Sequence, residues 1–251
     1  MRARYSGSIW RSLGRIFSSA CVICWQPISA TGRFPDCCPR CASELPFRDI
    51  DLTCLHFRPK VVDAAARRGI YCLIPCFYQG SLNHLLRQFK FHDMSNINTF
   101  LGSLLTDLLR RRCSPERQAA GYVLTPELGH WRDIDLVVPI PLHPKRMRER
   151  GYNQAYLLAA QISFDLGLEL NSRILLRCSA TARQTKQGSA QARWLNVQSA
   201  FETTATEPVR GKNILLVDDI TTTGSTLIVA AEALLVAGAR SVTGIVVASE
   251  H

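Results

Sequence analysis

The sequence predicts an α/β protein, a mainly parallel sheet flanked by helices, with a small cysteine-rich module ahead of it. Three observations carry this. From about Gly69 onward, strand-like apolar runs alternate with segments whose apolar residues recur at helical spacing. The run "IDLVVPIPL" reads as a buried strand ended by its own prolines. Five of the ten cysteines fall within "CVICWQPISATGRFPDCCPRC", residues 21–41, and the rest are scattered.

Three regions follow from these features. Residues 1–47 hold a basic segment and the cysteine cluster. The first twenty residues carry Arg2, Arg4, Arg11 and Arg15 and no acid, while Ile9, Trp10, Leu13, Ile16 and Phe17 recur at helical spacing. This predicts a short amphipathic helix docked on the module; a mitochondrial presequence is the alternative reading. No secretory apolar core with a cleavage site is present. Residues 48–69 read as a connector of low periodicity, and residues 70–251 as the α/β domain.

Within that domain the elements are read in order. Ile70–Tyr78 is a strand. Ser81–Phe91 is a helix with Leu82, Leu85, Leu86 and Phe89 on one face, and Asn98–Arg112 is a second, stopped before Ser114-Pro115. Ile134–Leu142 is a strand. Asn153 caps a helix that runs to Gly167. Ile174–Cys178 and Asn213–Val217 are strands. Thr226–Val236 is a helix with Leu227, Ile228, Ala231, Leu234 and Leu235 on its face, ended by Gly238, and Ser241–Ser249 is the final strand.

Composition narrows the class of function. The 30 basic against 20 acidic residues leave +10 at neutral pH, which suits phosphates, nucleic acid or an acidic surface. No apolar run approaches the length of a membrane span, so no stable membrane insertion is expected and the cytoplasm is the expected location. Clustered thiols fit metal binding in a reducing compartment better than a disulfide scaffold. The spacing is Cys21-x2-Cys24, thirteen residues, then Cys38-x2-Cys41. Four thiolates make a closed, structural Zn2+ site. Cys37-x3-Cys41 also reaches. Cys54, Cys72, Cys76, Cys113 and Cys178 read as buried apolar residues instead.

The stretch "NILLVDDITTTGSTL", residues 213–227, holds the sharpest signal. An apolar strand ends in two aspartates, a threonine-rich glycine loop follows, and a helix begins. This is a βα junction at the carboxyl end of a parallel strand, where open α/β sheets bind ligands. The main-chain N–H groups of Thr222, Thr223, Gly224, Ser225 and Thr226 suit a phosphate at the helix N-terminus. Carboxylates beside a phosphate repel it unless the ligand also offers hydroxyls or a divalent cation intervenes. A ribose 5-phosphate meets the first condition, with its hydroxyls on Asp218 and Asp219.

"LLVDDITTTGST" resembles the phosphoribosyl pyrophosphate (PRPP) signature of type I phosphoribosyltransferases, with Thr221 where that family usually carries an aliphatic residue. The resemblance implies a type I phosphoribosyltransferase-like fold and Mg2+ bound with PRPP. The pyrophosphate then needs a basic site. "VVPIPLHPKRMRERGYNQA" offers Lys145, Arg146 and Arg150, with Arg150-Gly151 expected to open a helix. By the same resemblance the acid-free stretch "SATARQTKQGSAQ" is expected to close over the site as a lid carrying Arg183 and Lys186.

Taken with "LLRQFKFHD" and "RCSATARQTKQGSAQARWLNVQSAF", the paired thiols and the basic segment resemble the ComF family. That family joins an N-terminal zinc-binding module to a phosphoribosyltransferase-like domain and is implicated in DNA uptake. The matching positions are Lys90, Arg146, Arg150, Gly151, Asn153, Gln154, Gln184, Gln187, Arg193 and Asn196, and the family pattern favours Cys38 over Cys37. Two functions follow from the resemblance. One is an enzyme that displaces pyrophosphate from PRPP at Asp218 and Asp219. The other is a non-catalytic single-stranded-DNA-binding protein, with Lys90 and Arg112 on DNA phosphates and other DNA-uptake proteins as partners. Any acceptor pocket is expected before Val137, around Phe89, Lys90, Phe91 and His92.

Overall fold

The computed structural model describes residues 20–28, 32–56, 69–91, 95–121, 123–126, 128–177, 201–204 and 206–250. The amphipathic helix expected before residue 20 and the lid with Arg183 and Lys186 lie outside these residues. A turn over Cys21–Cys24 leads to the short helix α1 (Pro39–Ser43). Strands β1 (Leu52–His56), β2 (Gly69–Leu73) and β3 (Cys76–Phe77) follow, then helices α2 (Gly80–Phe91), α3 (Ser95–Arg112) and α4 (Pro115–Ala119). Strand β4 (Leu136–Pro139), helices α5 (Pro144–Arg150) and α6 (Gln154–Leu166) and strands β5 (Leu175–Arg177) and β6 (Phe201–Thr203) come next. Strands β7 (Asn213–Val217) and β8 (Ile220–Thr221), helix α7 (Ser225–Val236) and strands β9 (Ser241–Ile245) and β10 (Ala248–Ser249) complete the described chain.

The main sheet has the order β1-β2-β9-β7-β4. All its pairings are parallel except β1 with β2. Residues 52–56, read as connector, therefore supply an antiparallel edge strand. A second small sheet, β3-β10-β8, is wholly parallel. It continues the three strands β2, β9 and β7 after a two-residue break in each. Leu73, Ile245 and Val217 are the last paired residues of the first sheet; Cys76, Ala248 and Ile220 open the second. The runs Ile70–Tyr78 and Ser241–Ser249 are thus not single strands. They bend at Ile74-Pro75 and Val246-Val247, and the third bend, level with these, is Asp218-Asp219. Proline supplies one cause, since Pro75 has no N–H for a ladder.

The parallel strands β4, β7 and β9 of the main sheet are buried on both faces. Leu215 and Val217 enter one apolar cluster with α2, α3 and α6, while Ile214 and Leu216 enter the other beneath α7. All four are fully excluded from solvent, and each such side chain contributes about 1.5–3 kcal/mol. That anchoring lets β7 carry two carboxylates directly at its end. The helices α3 and α6 approach closely at Gly102, where a Cβ would come within 2.3 Å of the Gln161 side chain. Filling that contact costs about 1–3 kcal/mol by overpacking.

The cysteine-rich module shares the first cluster: Cys21, Val22, Phe34, Cys41 and Leu45 are buried with Leu73 and the residues of α2 and α3. Asp107 on α3 fastens it, taking Arg33 Nη2 at 2.6 Å and Arg111 Nε at 2.7 Å. The Arg33 guanidinium also lies 5.0 Å from the centroid of the Phe34 ring. Among the described residues no helix is long and apolar enough to cross a membrane.

Candidate functional site

The acidic turn is shaped by its own side chains. Asp219 N–H donates to Asp218 Oδ1 at 2.9 Å, and Ile220 N–H donates to Asp219 Oδ1 at 2.8 Å. Neighbouring strands complete it: Asp218 N–H reaches the Ile245 carbonyl at 3.1 Å, and Val247 N–H reaches the Asp219 carbonyl at 3.0 Å. Thr221, the departure from the usual aliphatic residue, is buried, and its Oγ1 accepts from Gly224 N–H at 3.1 Å. One of the five N–H groups expected for a phosphate is therefore already occupied. Gly224 has φ +74°, which favours glycine, and a Cβ there would meet the Leu55 side chain at 2.8 Å. Its need for glycine comes from the loop's backbone and from β1 behind it, not only from ligand approach.

The basic arm differs from its expected form. Lys145 to Arg150 are helical, and Gly151, with φ +77°, closes α5 instead of opening a helix. Asn153 then caps α6: its Oδ1 accepts from Ala155 N–H at 3.1 Å and its Nδ2 donates to the Ile140 carbonyl at 2.9 Å. Arg146 and Arg150, one helical turn apart, both line a cleft, whereas Lys145 is exposed and does not.

That cleft, of about 310 Å³, is where the predicted residues meet. Asp218, Asp219 and Thr226 line it together with Arg146, Arg150, Asn153, Gln154, Lys90 and Arg177. Thr222, Thr223 and Ser225 are exposed and are not part of its wall; Thr223 Oγ1 and Ser225 Oγ hydrogen-bond each other at 2.8 Å. Phe89 is 1% exposed and is not part of the wall of this cleft.

Electrostatics in the cleft are strongly coupled. Burial, and then the adjacent Asp219, push the Asp218 carboxyl well above the usual carboxylate range, against the pull of Lys90. Lys90 Nζ lies 3.3 Å from Asp219 Oδ2, an oxygen that makes no hydrogen bond. Burial and the nearby Arg146 lower the Arg177 guanidinium, which Asp218 partly offsets. Arg177 was not identified from sequence. Its only signal there is its place at the end of a strand, which many arginines share. Arg112, expected on DNA, is instead paired with Asp51, and Lys90 is held by Asp219; both side chains are largely buried, so neither is a free phosphate contact.

The sulfurs of Cys21, Cys24, Cys38 and Cys41 all lie within 4.8 Å of one another. A tetrahedral zinc with four thiolates needs sulfurs about 3.8 Å apart, and Cys24 Sγ to Cys38 Sγ is 3.9 Å. The set fits a metal ion such as zinc. Burial works to raise the Cys21 thiol, but backbone N–H groups of Cys38, Cys24 and Ile23 bring it down to about 6, which favours the ligating thiolate. Cys41 is raised, by burial and by sharing hydrogen bonds with Cys38. Cys37 turns away, with its thiol on the Cys38 carbonyl at 3.6 Å, and burial pushes it up to about 12. Cys72, Cys76 and Cys113 are buried as expected, Cys54 is half-buried, and Cys178 lies outside the described residues.

Two outcomes are expected. Cys24→Ser and Cys41→Ser should lose bound metal in elemental analysis of the purified protein, while Cys37→Ser should keep it; metal loss in Cys37→Ser alone would reverse the ligand assignment. Asp218→Asn should raise the thermal midpoint at neutral pH. A carboxyl whose folded pKa is raised binds more protons folded than unfolded, so its ionisation costs stability as pH rises. The advantage of the variant should shrink as pH falls towards about 4, where the unfolded carboxyl also protonates. Equal midpoints at neutral pH would contradict the desolvated pair.

Comparison with known proteins places this geometry. The phosphoribosyl transferase domain family matches residues 154–251, which include the acidic turn and the threonine loop. The DNA utilization protein YhgH of Escherichia coli is 34% identical over 165 residues, 66% of each chain. Competence protein F of Haemophilus influenzae is 33% identical over 60% of each chain, and competence protein ComFC of Bacillus subtilis is 28% identical over 80% of this chain and 72% of that one. The matched stretch thus spans just under two thirds of the enterobacterial relatives' length. Four thiols poised for a metal, a kinked parallel sheet with paired aspartates at the bend, and these relatives together support a ComF-family phosphoribosyltransferase-like protein.

Proposed function

We propose that this protein binds Mg–PRPP, or a related ribose phosphate, in the cleft between the acidic turn and α5, and acts in DNA uptake or utilisation in the cytoplasm. One observation carries the reading: Asp218, Asp219 and Thr226 line the same cleft as Arg146 and Arg150, residues 68 to 80 positions apart in the chain. The donor set matches a ligand with hydroxyls between two anionic ends. Asp218 and Asp219 accept the ribose hydroxyls. The start of α7 takes the 5-phosphate on N–H groups that have no intrahelical partner, with Thr226 Oγ1 beside them. Arg146, Arg150 and Arg177 hold the pyrophosphate and stabilise it as a leaving group when a nucleophile attacks the ribose carbon. Lys145 and Gly151, outside the cleft wall, act on the pyrophosphate only if α5 shifts towards the ligand. Arg183 and Lys186 are assigned to the lid by the family resemblance. Mg2+ would be held with the ligand beside Asp218 and Asp219 and would supply positive charge that offsets the pyrophosphate. The cysteine set is assigned structural Zn2+.

A second reading is a non-catalytic single-stranded-DNA-binding protein, favoured by Trp25. It stands beside Cys24 with φ +60° and is 53% exposed, and aromatic faces of this kind stack bases. The names of the relatives support a role beside other DNA-uptake proteins in either reading.

Calorimetry separates them. Mg–PRPP should bind the wild-type protein, and Asp218→Asn with Asp219→Asn should weaken it by about 100-fold or more, two bonds to a charged acceptor being lost. Unchanged affinity would place the ligand elsewhere. Trp25→Ala should lower the affinity for a labelled oligonucleotide at low salt without altering that for Mg–PRPP; displacement of the oligonucleotide by PRPP would instead put both in one cleft.

A further inference from the structure

The acidic pair has a cation of its own. Lys90 sits near the end of α2, lines the cleft, and places Nζ 3.3 Å from Asp219 Oδ2. Among the described residues this is the only ion pair made by either aspartate. Its side chain is 17% exposed, so the ammonium is largely withdrawn from water and aimed inward. The backbone beneath it is fixed. The Phe89 carbonyl accepts Tyr152 Oη at 2.7 Å and Gln154 Nε2 at 3.5 Å, and the Phe89 ring is buried in the core. Gln154 Oε1 in turn accepts from Arg150 Nη1 at 3.1 Å. The lysine is therefore held between the basic arm and the acidic turn.

Two features of Asp219 make this more than a structural ion pair. The residue is only 9% exposed, and its Oδ2 makes no hydrogen bond although Lys90 is close. Its charge is compensated, yet an acceptor remains for a ligand hydroxyl. A phosphorylated sugar approaching uncompensated carboxylates is repelled, and a divalent cation is the usual remedy. A compact ammonium 3.3 Å away supplies the same sign of charge without a metal.

We propose that Lys90 is the resident counter-ion of the Asp218–Asp219 pair and lets the cleft take a ribose 5-phosphate without a divalent metal ion. The proposal rests on the ribose-phosphate reading above. It divides the ligands by chemistry. A sugar monophosphate needs only Lys90, whereas a ligand that also carries pyrophosphate brings more negative charge and requires Mg2+. Lys90 is a positioning residue that acts through Asp219.

The test is calorimetry with ribose 5-phosphate in EDTA and with Mg–PRPP. The wild-type protein should bind ribose 5-phosphate in EDTA. Lys90→Met should weaken that binding by about tenfold or more, the loss expected for one charged contact, and added Mg2+ should recover most of it. Lys90→Arg should stay close to wild type, a rescue that a merely packing role would not give. Lys90→Met binding as tightly as wild type in EDTA overturns the proposal. So does a wild-type protein that binds ribose 5-phosphate only with Mg2+, a result independent of whether the variant folds. Wild-type binding of Mg–PRPP with none of ribose 5-phosphate in EDTA sinks this inference alone; absence of both sinks the ribose-phosphate reading with it.

Discussion

Desolvation of two adjacent carboxylates is the constraint around which the cleft is organised. Asp218 and Asp219 stand at the bend between β7 and β8, where a buried parallel sheet breaks and resumes. Burial and mutual repulsion raise Asp218, and isolated charges in such a place would destabilise the fold. Three devices offset this. Backbone N–H groups of Asp219 and Ile220 donate to the pair, Lys90 faces Asp219, and the four fully buried residues before them anchor the strand. Residual strain of this kind is what ligand-binding sites retain at some expense of stability.

The bend also explains the layout around it. If β7 ran straight on, its side chains would alternate between the two apolar clusters and no polar group could stand at its end. The strands β2, β9 and β7 break at one level, and the break after β7 holds the polar pair while the other two are apolar. Thr221 then resumes the ladder and uses its hydroxyl to hold Gly224, which sets the loop at the start of α7. A valine at 221 would keep the strand but release that N–H. The threonine fixes the loop with one donor fewer, so under the proposed ribose-phosphate reading the remaining N–H groups and Thr226 are what is left for the anion.

Connection between the two halves of the cleft runs through one carbonyl. Phe89 O accepts from Tyr152 and Gln154, which follow α5, while Lys90 next to it reaches Asp219. The basic arm and the acidic turn are thus tied to the same point of α2. On the far side of α3 the cysteine module is tied to the same core through Asp107 and the buried cysteine-side residues. The four-thiol set and the α2 side of the cleft are thus attached to one continuous apolar cluster.

The sequence alone determined the elements whose signals are local. The apolar run 214–217 marked a strand, Asn153 marked a helix start, and the acid–threonine–glycine run marked the turn, because each is read within a few residues. The x2 thiol pairs gave a four-sulfur site; that Cys38 and not Cys37 faces it was fixed only when α1 turned the Cys37 side chain away. Tertiary structure decided what depends on distant partners. The edge strand 52–56 has little periodicity of its own and exists because residues 69–73 pair with it. The bends at 74–75 and 246–247 fall in continuous apolar sequence, level with Asp218 and Asp219 at the end of β7, and Pro75 is the one local signal for them. Lys90 and Arg112 read as exposed cations, since a sequence shows charge but not the carboxylate, 129 or 61 positions away, that takes it out of solvent.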